Sequence, residues 1–361
     1  MNKTSKDIFK SYFNKDPSSS SYAPGRVNLI GDHTDYNNGL VLPSPLSLGI
    51  SVSILPSNHY KIDGISQQYG SLSRNLSNKT DGSWLDFVSG AIEVFYTNFP
   101  KNDYLLKKGI KIAVGSNLPA DSGVSSSAAF SVALIKVIAE LENQNINPMK
   151  LALMAQKIEH DFIGTKCGLM DQMVSSAGVK SKAMYYDVYK NHIENYPLLP
   201  GYDFLIFHSG SKRKLSDSLY NKRRSECEKA SLLMGVPDLR SANKEMLHVL
   251  DKKLFMRASH VISENERVKN CCIALLEENA DIFGEIMYDS HYSLSENYEV
   301  SSIELDNIIK VAKNSGALGA RLTGAGFGGC CVLLAARDNS KKITEKIKKN
   351  IPNVWLVDII N

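Results

Sequence analysis

Residues 25–39 read GRVNLIGDHTDYNNG. Arg26, Asp32, His33 and Asp35, all able to carry charge or a proton, crowd around an apolar VNLI run and a turn rich in Gly and Asn. YAPGRVNLIG predicts a strand, and DHTDYNNG the loop that follows it, because Gly and Asn favour turn conformations. So much polar chemistry beside a buried strand needs a reason from the rest of the chain.

Working outward, residues 3–14 have helical periodicity, with Ile8, Phe9, Tyr12 and Phe13 on one side, until the serine run 18–21 breaks it. Beyond the loop, LVLPSPL and LGISVSIL predict two strands with prolines marking ends or edges, and YKIDGIS another. SWLDFVSGAIEVFYTNF is helical, with Trp84, Phe87, Val88, Ala91 and Phe95 at helical spacing. GIKIAVGSNLP is a strand running into a loop. A Gly- and Ser-rich turn, ADSGVSSS, then opens a strongly periodic helix, and PMKLALMAQKIEHDFIG is a further helix with Pro148 near its start. AMYYDV and YDFLIFHSG are strands, and helical pattern dominates 214–313. ALGARLTGAGFGGCCVLLAA reads strand, glycine loop, strand; a helix over 340–350 and the strand VWLVDII close the chain. There is no internal repeat. The mix is α+β, and a length of 361 residues favours two lobes, 1–190 and 191–361.

Apolar residues make up 43% and charged residues 22% of the chain, ordinary values for a soluble globular protein. Net charge is only +4, and the basic clusters at 212–224 and 341–349 alternate with apolar or acidic residues as on solvated helix faces, so no nucleic-acid partner is expected. Cys167, Cys227, Cys271, Cys272, Cys330 and Cys331 match neither a zinc spacing nor a disulfide framework and read as small buried side chains. The amino terminus has no apolar signal core and no run is long enough to span a bilayer; the expectation is a cytoplasmic protein with no membrane partner.

Three further stretches bear chemistry. In LPADSGVSSSAA, 118–129, small residues precede a helix start, where unpaired N–H groups and the positive dipole end suit a phosphate; a serine-capped helix would look the same. It lacks the Gly-Lys-Ser/Thr of the Walker loop and the glycine spacing of dinucleotide folds. In RLTGAGFGGCCV, Gly324, Gly326, Gly328 and Gly329 permit conformations closed to other residues, fitting a loop over a ligand or a tight hairpin. In EHDFIGTKCGLMDQM, Glu159 and Asp171 flank a glycine-bearing loop; Asp171 could equally cap a helix, and His160 reads as a hydrogen-bonded surface or core residue.

In this order, these motifs resemble those of the galactokinases, members of the GHMP small-molecule kinase superfamily. GRVNLIGDHTDYNNG is similar to their amino-terminal signature, LPADSGVSSSAA to the superfamily's ATP loop, CGLMDQ to the segment holding the catalytic Asp, and LTGAGFGGC to the carboxy-terminal glycine motif. The resemblance runs from about residue 20 to 335. It implies a two-lobed α+β fold with the active site between the lobes, and transfer of the ATP γ-phosphoryl group to the C1 hydroxyl of an aldohexose, mainly by positioning and charge stabilisation. By resemblance Asp171 is the catalytic carboxylate, as a base or only an orienting group, and Arg26 lies beside it to hold it ionised and to steady the phosphoryl charge. Asp121, Ser122, Gly123, Val124, Ser125, Ser126 and Ser127 would wrap the phosphates of ATP, and Ser127 with Glu159 would serve Mg²⁺. Asp32, His33, Thr34, Asp35, Gly168 and Tyr220 would hold the sugar. Trp84 matches an aromatic near the nucleotide, or simply packs. Sugar and ATP are the implied partners of a monomer.

Three positions depart from the family. Asp32 stands where Glu is usual, one methylene shorter toward the sugar's C6 hydroxyl. Asp121 stands where the ATP loop has Gly, and Arg213 where a His is usual. The resemblance leaves as alternatives an anomeric kinase of galactosamine, N-acetylgalactosamine, a uronic acid or arabinose, a mevalonate or homoserine kinase, and a sugar-sensing regulator without turnover; GDHTDY and MDQ argue against the mevalonate or homoserine kinase, Ser125, Ser126, Ser127, Glu159 and Asp171 argue against the regulator, and the Asp32 change keeps the related sugar kinases open.

Overall fold

A computed structural model of the chain describes residues 4–77, 80–101, 103–119, 123–211 and 216–361. These form two compact units: Met1–Gly25, Leu48–Ala120 and Ser125–Ala177 make the first, and Arg26–Ser47, Asp121–Val124 and Gly178–Asn361 the second. The units interleave in sequence rather than meeting at residue 190, because two long strands, β1 (Ser19–Ile30) and β2 (Leu40–Pro56), pair with each other and each contribute to both.

The first unit opens with α1 (Ser5–Phe13), started by a capping box in which the Thr4 hydroxyl accepts from Asp7 N and the Asp7 carboxylate accepts from Thr4 N. Its sheet runs β4 (Gly70–Asn75), β3 (Lys61–Ser66), β5 (Ile110–Ser116), β2, with β3 and β5 parallel and the other pairs antiparallel. Its helices are α2 (Leu85–Asn98), the short α3 (Tyr104–Lys108), α4 (Ser126–Leu141), α5 (Pro148–Ile158) and α6 (Met170–Ala177). α4 touches α2, α5 and α6. It is buried nearly all round, through Ala128, Phe130, Val132, Leu134, Ile135 and Ile138, as a helix apolar on every side must be.

In the second unit the first residues of β2 pair with β6 (Lys182–Asp187), and β6 pairs with β7 (His192–Pro197). A second sheet is antiparallel throughout, in the order β11 (Trp355–Ile360), β8 (Tyr202–His208), β10 (Cys330–Ala336), β9 (Gly319–Leu322). Leu205, Phe207, Leu322 and Leu333 from this sheet share one core with Ala230 of α7 (Ser216–Met234), Val261 of α8 (Lys252–Leu276), Ile308 of α10 (Ile303–Asn314) and Ile343 of α11 (Ser340–Asn350). α9 (Ala280–Tyr292) lies between α8 and β9.

Where two strands were expected, β2 is one strand of 17 residues. Pro43 and Pro45 fall between Leu40–Val41, which pair with β6, and 50–56, which pair with β5, so neither ladder calls on their missing N–H groups. No cysteine is in a disulfide, and all but Cys167 are buried. No helix among the described residues is long and apolar enough to cross a membrane.

Candidate active site

In the first unit, Asp171 sits in the first turn of α6, half-buried. Ser125 donates to its Oδ2 at 2.5 Å. This serine stands at the start of α4 with φ 62, in the left-handed region, and its side chain makes no capping bond. The serine-capped alternative therefore does not describe Ser125: its hydroxyl serves the carboxylate and leaves the helix start open to an anion. Ser126 is half-buried and Ser127 exposed in the first turn of the same helix. Asp121 and Ser122, expected on the phosphates, lie outside the described residues, as does Arg213.

Glu159 ends α5 and opens a π-helical turn, Glu159–Ile163. It is buried, and burial pushes its carboxyl up to about 7, with Asp171 adding to the rise and hydrogen bonds from Gln172 and Ser127 opposing it. The Gln172 amide donates to Glu159 Oε1 at 2.7 Å and lies 3.3 Å from Cys167 Sγ. Sequence reasoning missed Gln172, although its place next to Asp171 in MDQ was a signal. Gly168 is buried in the loop before α6. His160 Nε2 meets the Cys167 carbonyl at 2.9 Å, a structural role. Trp84 lies one residue before α2, its ring 6.4 Å from Phe130 and so close over Gly64 that a Cβ there would come within 2.4 Å of it. Packing is therefore observed for Trp84, while its Nε1 is buried without a hydrogen-bond partner.

Glu159 and the Ser127 hydroxyl offer two hard oxygens, and the carboxylate is buried with only neutral donors on it. No cluster of three or more His, Cys, Asp or Glu able to hold a metal occurs among the described residues. Such a donor set fits Mg²⁺, which keeps waters and takes its other ligands from phosphate, and fits poorly a metal needing a full protein cage.

In the second unit, Arg26 is buried; its guanidinium donates to Gly123 O at 2.7 Å and its backbone N–H to Val124 O at 3.1 Å, tying it to the loop that precedes α4. At Gly31, φ is +98 and a Cβ would fall 2.7 Å from Leu40 O, so the turn out of β1 requires glycine. His33 follows at φ 66. Its ring lies 4.7 Å from Tyr298, 5.9 Å from Tyr36 and 5.8 Å from Tyr220. Its Nδ1 meets Tyr36 OH at 2.9 Å, and that hydroxyl meets Tyr298 OH at 2.8 Å. Burial holds the imidazole well below its usual pKa, against a bias toward protonation from the Ala325 backbone, so it is neutral. His33 Nε2 is buried with no partner in hydrogen-bond geometry. Asp35 opens a 3₁₀ turn, Asp35–Asn37, and is half-buried.

Two of the expected sugar ligands face inward. The Thr34 hydroxyl, fully buried, lies 2.8 Å from Gly31 O and 2.6 Å from Leu40 O. Asp32 is 1% exposed; its Oδ2 accepts from Arg321 at 2.7 Å and its Oδ1 from Gly324 N at 3.1 Å. Burial pushes the Asp32 carboxyl up, and Arg321 pulls it down. Behind it, Glu264 accepts from Arg267 at 2.6 Å, from Ser290 at 2.7 Å and from Gly31 N at 3.0 Å, and Arg321 lies 3.6 Å away. Arg321, Glu264, Tyr36 and Tyr298 carry this network and were missed, because no local pattern marks partners so distant in the chain.

The fold and these two constellations define a class, the GHMP small-molecule kinases. Models of the GHMP kinases N terminal domain and of the GHMP kinases C terminal region match residues 86–179 and 273–353, and the galactokinase galactose-binding signature matches 7–56. Within that class, the chain belongs to the galactokinase family. It is 36% identical over 362 residues to the galactokinase of Clostridium perfringens strain SM101, covering 96% of this chain and 92% of the relative. With the galactokinase of Thermotoga maritima it shares 36% identity over 342 residues, covering 94% and 95%. The solved structure of Lactococcus lactis galactokinase complexed with galactose superposes with a TM-score of 0.90 at 31% identity, covering 99% of this chain and 97% of the other. Methanococcus jannaschii mevalonate kinase, at a TM-score of 0.72 and 19% identity over 94% of this chain and 97% of its own, shares the fold.

Proposed function

We propose that this chain transfers the γ-phosphoryl group of ATP to the C1 hydroxyl of D-galactose, giving α-D-galactose 1-phosphate and ADP. The observation that carries this reading is the similarity to galactokinases over 96% of this chain and 92% of the relative. The reading makes it a monomer of the cytoplasm, with sugar and ATP as partners.

In the mechanism we infer, Asp171 accepts a hydrogen bond from the C1 hydroxyl and orients it. The hydroxyl oxygen bonds to the γ-phosphorus while the bond to the β-phosphate bridging oxygen breaks, its electron pair leaving with ADP; the hydroxyl proton passes to Asp171 late, as expected for a loose transition state. Ser125, 2.5 Å from Asp171 Oδ2, fixes the carboxylate's orientation. Arg26, tied to the ATP loop through Gly123 and Val124, stabilises charge on the phosphoryl oxygens. The open start of α4, with Ser126 and Ser127, receives phosphate oxygens. Ser127 and Glu159 would hold Mg²⁺, whose charge offsets that of the phosphates. His33, Asp35, Gly168 and Tyr220 hold sugar hydroxyls.

The test is ADP release from ATP over a panel of aldohexoses differing at C2, C4 and C6. Galactose is expected to exceed its C4 epimer in kcat/KM by about a hundredfold or more, since unpaired polar groups in a hydrogen-bonding site reject the wrong epimer. Sugar binding without ADP release would instead identify a sensor, and a preference for an amino sugar or uronic acid would move the substrate to a related anomeric kinase.

A further inference from the structure

We propose that Asp32 is a positioning residue, a fastener between the signature loop and the glycine loop 323–329, and that it does not read the sugar. This rests on the galactokinase reading above. The family's usual Glu leaves the residue at this position expected on the C6 hydroxyl, but the shorter Asp32 is committed inside the second unit. Both its oxygens are engaged, Oδ2 by Arg321 at 2.7 Å and Oδ1 by the Gly324 N–H at 3.1 Å. Its backbone carbonyl takes a third bond, from His260 Nε2 at 3.2 Å. Arg321 is completely buried, so withdrawing Asp32 toward a ligand would leave that guanidinium with the Asn28 carbonyl at 3.3 Å and Glu264 at 3.6 Å as its remaining partners. A buried ion that loses its partner is strongly unfavourable.

The fastening is a row of contacts. The Thr323 hydroxyl accepts from Asn28 N and donates to Asn28 O, both at 3.0 Å, joining the end of β1 to the residue after β9. Asp32, four residues beyond Asn28, extends the same row by one residue on the other side, to Gly324. Past it, Gly326 lies so close under the chain that a Cβ would be 2.2 Å from Val300 O, and Phe327 N donates to that carbonyl at 2.7 Å. The glycine loop is thus held at one end by Asp32 and in its middle by Val300. Hydrogen bonding to the sugar from the signature loop then falls to His33 and Asp35.

The test is a cycle of two sugars and two proteins. Steady-state kcat/KM is measured for galactose and 6-deoxygalactose with the native protein and with Asp32→Asn, which removes the charge and keeps the shape. The expected result is that both sugars lose the same factor, so that the native preference between them changes by less than about twofold, as for groups that do not touch. In parallel, amide exchange across 322–329 is expected to quicken in Asp32→Asn while circular dichroism shows the fold intact. A preference that collapses by about tenfold or more, the size of a hydrogen bond to a charged group, would overturn the proposal, as would unchanged exchange in the glycine loop. Asp32→Glu closes the same cycle if the Asn variant does not fold; selective gain on galactose would equally overturn the proposal. Should the native protein release no ADP with galactose, the galactokinase reading fails and this proposal fails with it, whereas turnover with a collapsed preference overturns only the role of Asp32.

Discussion

The residues proposed to serve phosphoryl transfer and those of the signature loop are built in opposite ways. In the first unit, Ser125, Ser127, Glu159, Asp171 and Gln172 come from α4, α5 and α6, three helices that touch one another, and their bonds join residues 13 to 46 positions apart. Asp171 is half-buried and accepts from the Ser125 hydroxyl. In the second unit, Asp32 bonds to residues 228, 289 and 292 positions away, through side chains almost wholly buried. The contrast separates two kinds of importance. In the first unit α4, α5 and α6 pack on one another, so a lost side chain of the proposed site is expected to cost activity rather than stability. Around Asp32 the polar atoms that shape the loop also tie the unit's distant segments together, so a lost side chain is expected to cost stability.

The strongest way to break this contrast is Asp171→Asn. We expect kcat to fall by about 10²–10⁴-fold, the usual worth of a positioned acid–base group, with the thermal unfolding midpoint nearly unmoved. An unfolding midpoint that drops sharply would show that Asp171 is structural as well. Its counterpart is Arg321→Met, which leaves Asp32 and Glu264 buried without their shared cation. Urea unfolding should show a loss of roughly 3–5 kcal/mol. A loss too small to resolve would mean that Arg267 and Ser290 satisfy the two carboxylates alone, and the contrast would fail on that side.

The same difference in range decides what could be read from sequence. The helices α2, α4 and α5 and the strands β5 and β8 declare themselves through apolar periodicity, and the chemistry-bearing residues of the first unit lie in short motifs. β4 and β7 are absent from that reading because they are largely exposed and carry no alternation to detect. β2 was cut in two because its prolines look like strand ends until the partners on each side are known. The loop's own chemistry was legible, whereas the inward turn of Asp32 and Thr34 was not, since it depends on Arg321, Gly324 and Leu40, which only the folded chain brings near.

Acid should probe the second network without any substitution. Burial lowers His260 from 6.5 to about 4. The ring lies between Ser293 Oγ at 2.9 Å and the Asp32 carbonyl, with Glu264 favouring its charged form and Arg267 and Arg321 opposing it. The unfolded chain therefore takes up this proton below pH 6.5 and the folded chain only near pH 4. Stability present above pH 6.5 is lost as the pH falls through that window, by roughly 3 kcal/mol from this one group. Glu264, held down to about 2, extends the fall below pH 4.5. Urea midpoints taken across the range should slope accordingly. His260→Gln should flatten the upper part of the slope without abolishing it, since His33 is displaced in the same direction; an unchanged slope would show that His260 titrates alike in both states.

The smallest effect is expected at Ser125, where backbone and side chain can be tested apart. The residue has φ 62, which an L side chain adopts at a cost and glycine does not, while its hydroxyl bonds Asp171. Ser125→Ala and Ser125→Gly both remove the hydroxyl, and kcat should fall alike in the two, by about tenfold for one lost hydrogen bond to a carboxylate, with the KM for sugar little changed. Their stabilities should part: glycine relieves the left-handed backbone by roughly 1 kcal/mol and alanine does not. Full activity in Ser125→Gly would mean that the backbone bend alone matters, leaving the orientation of Asp171 to α6. Equal stability of the two variants would mean that the bend carries no strain, so that the serine is kept there for its hydroxyl alone.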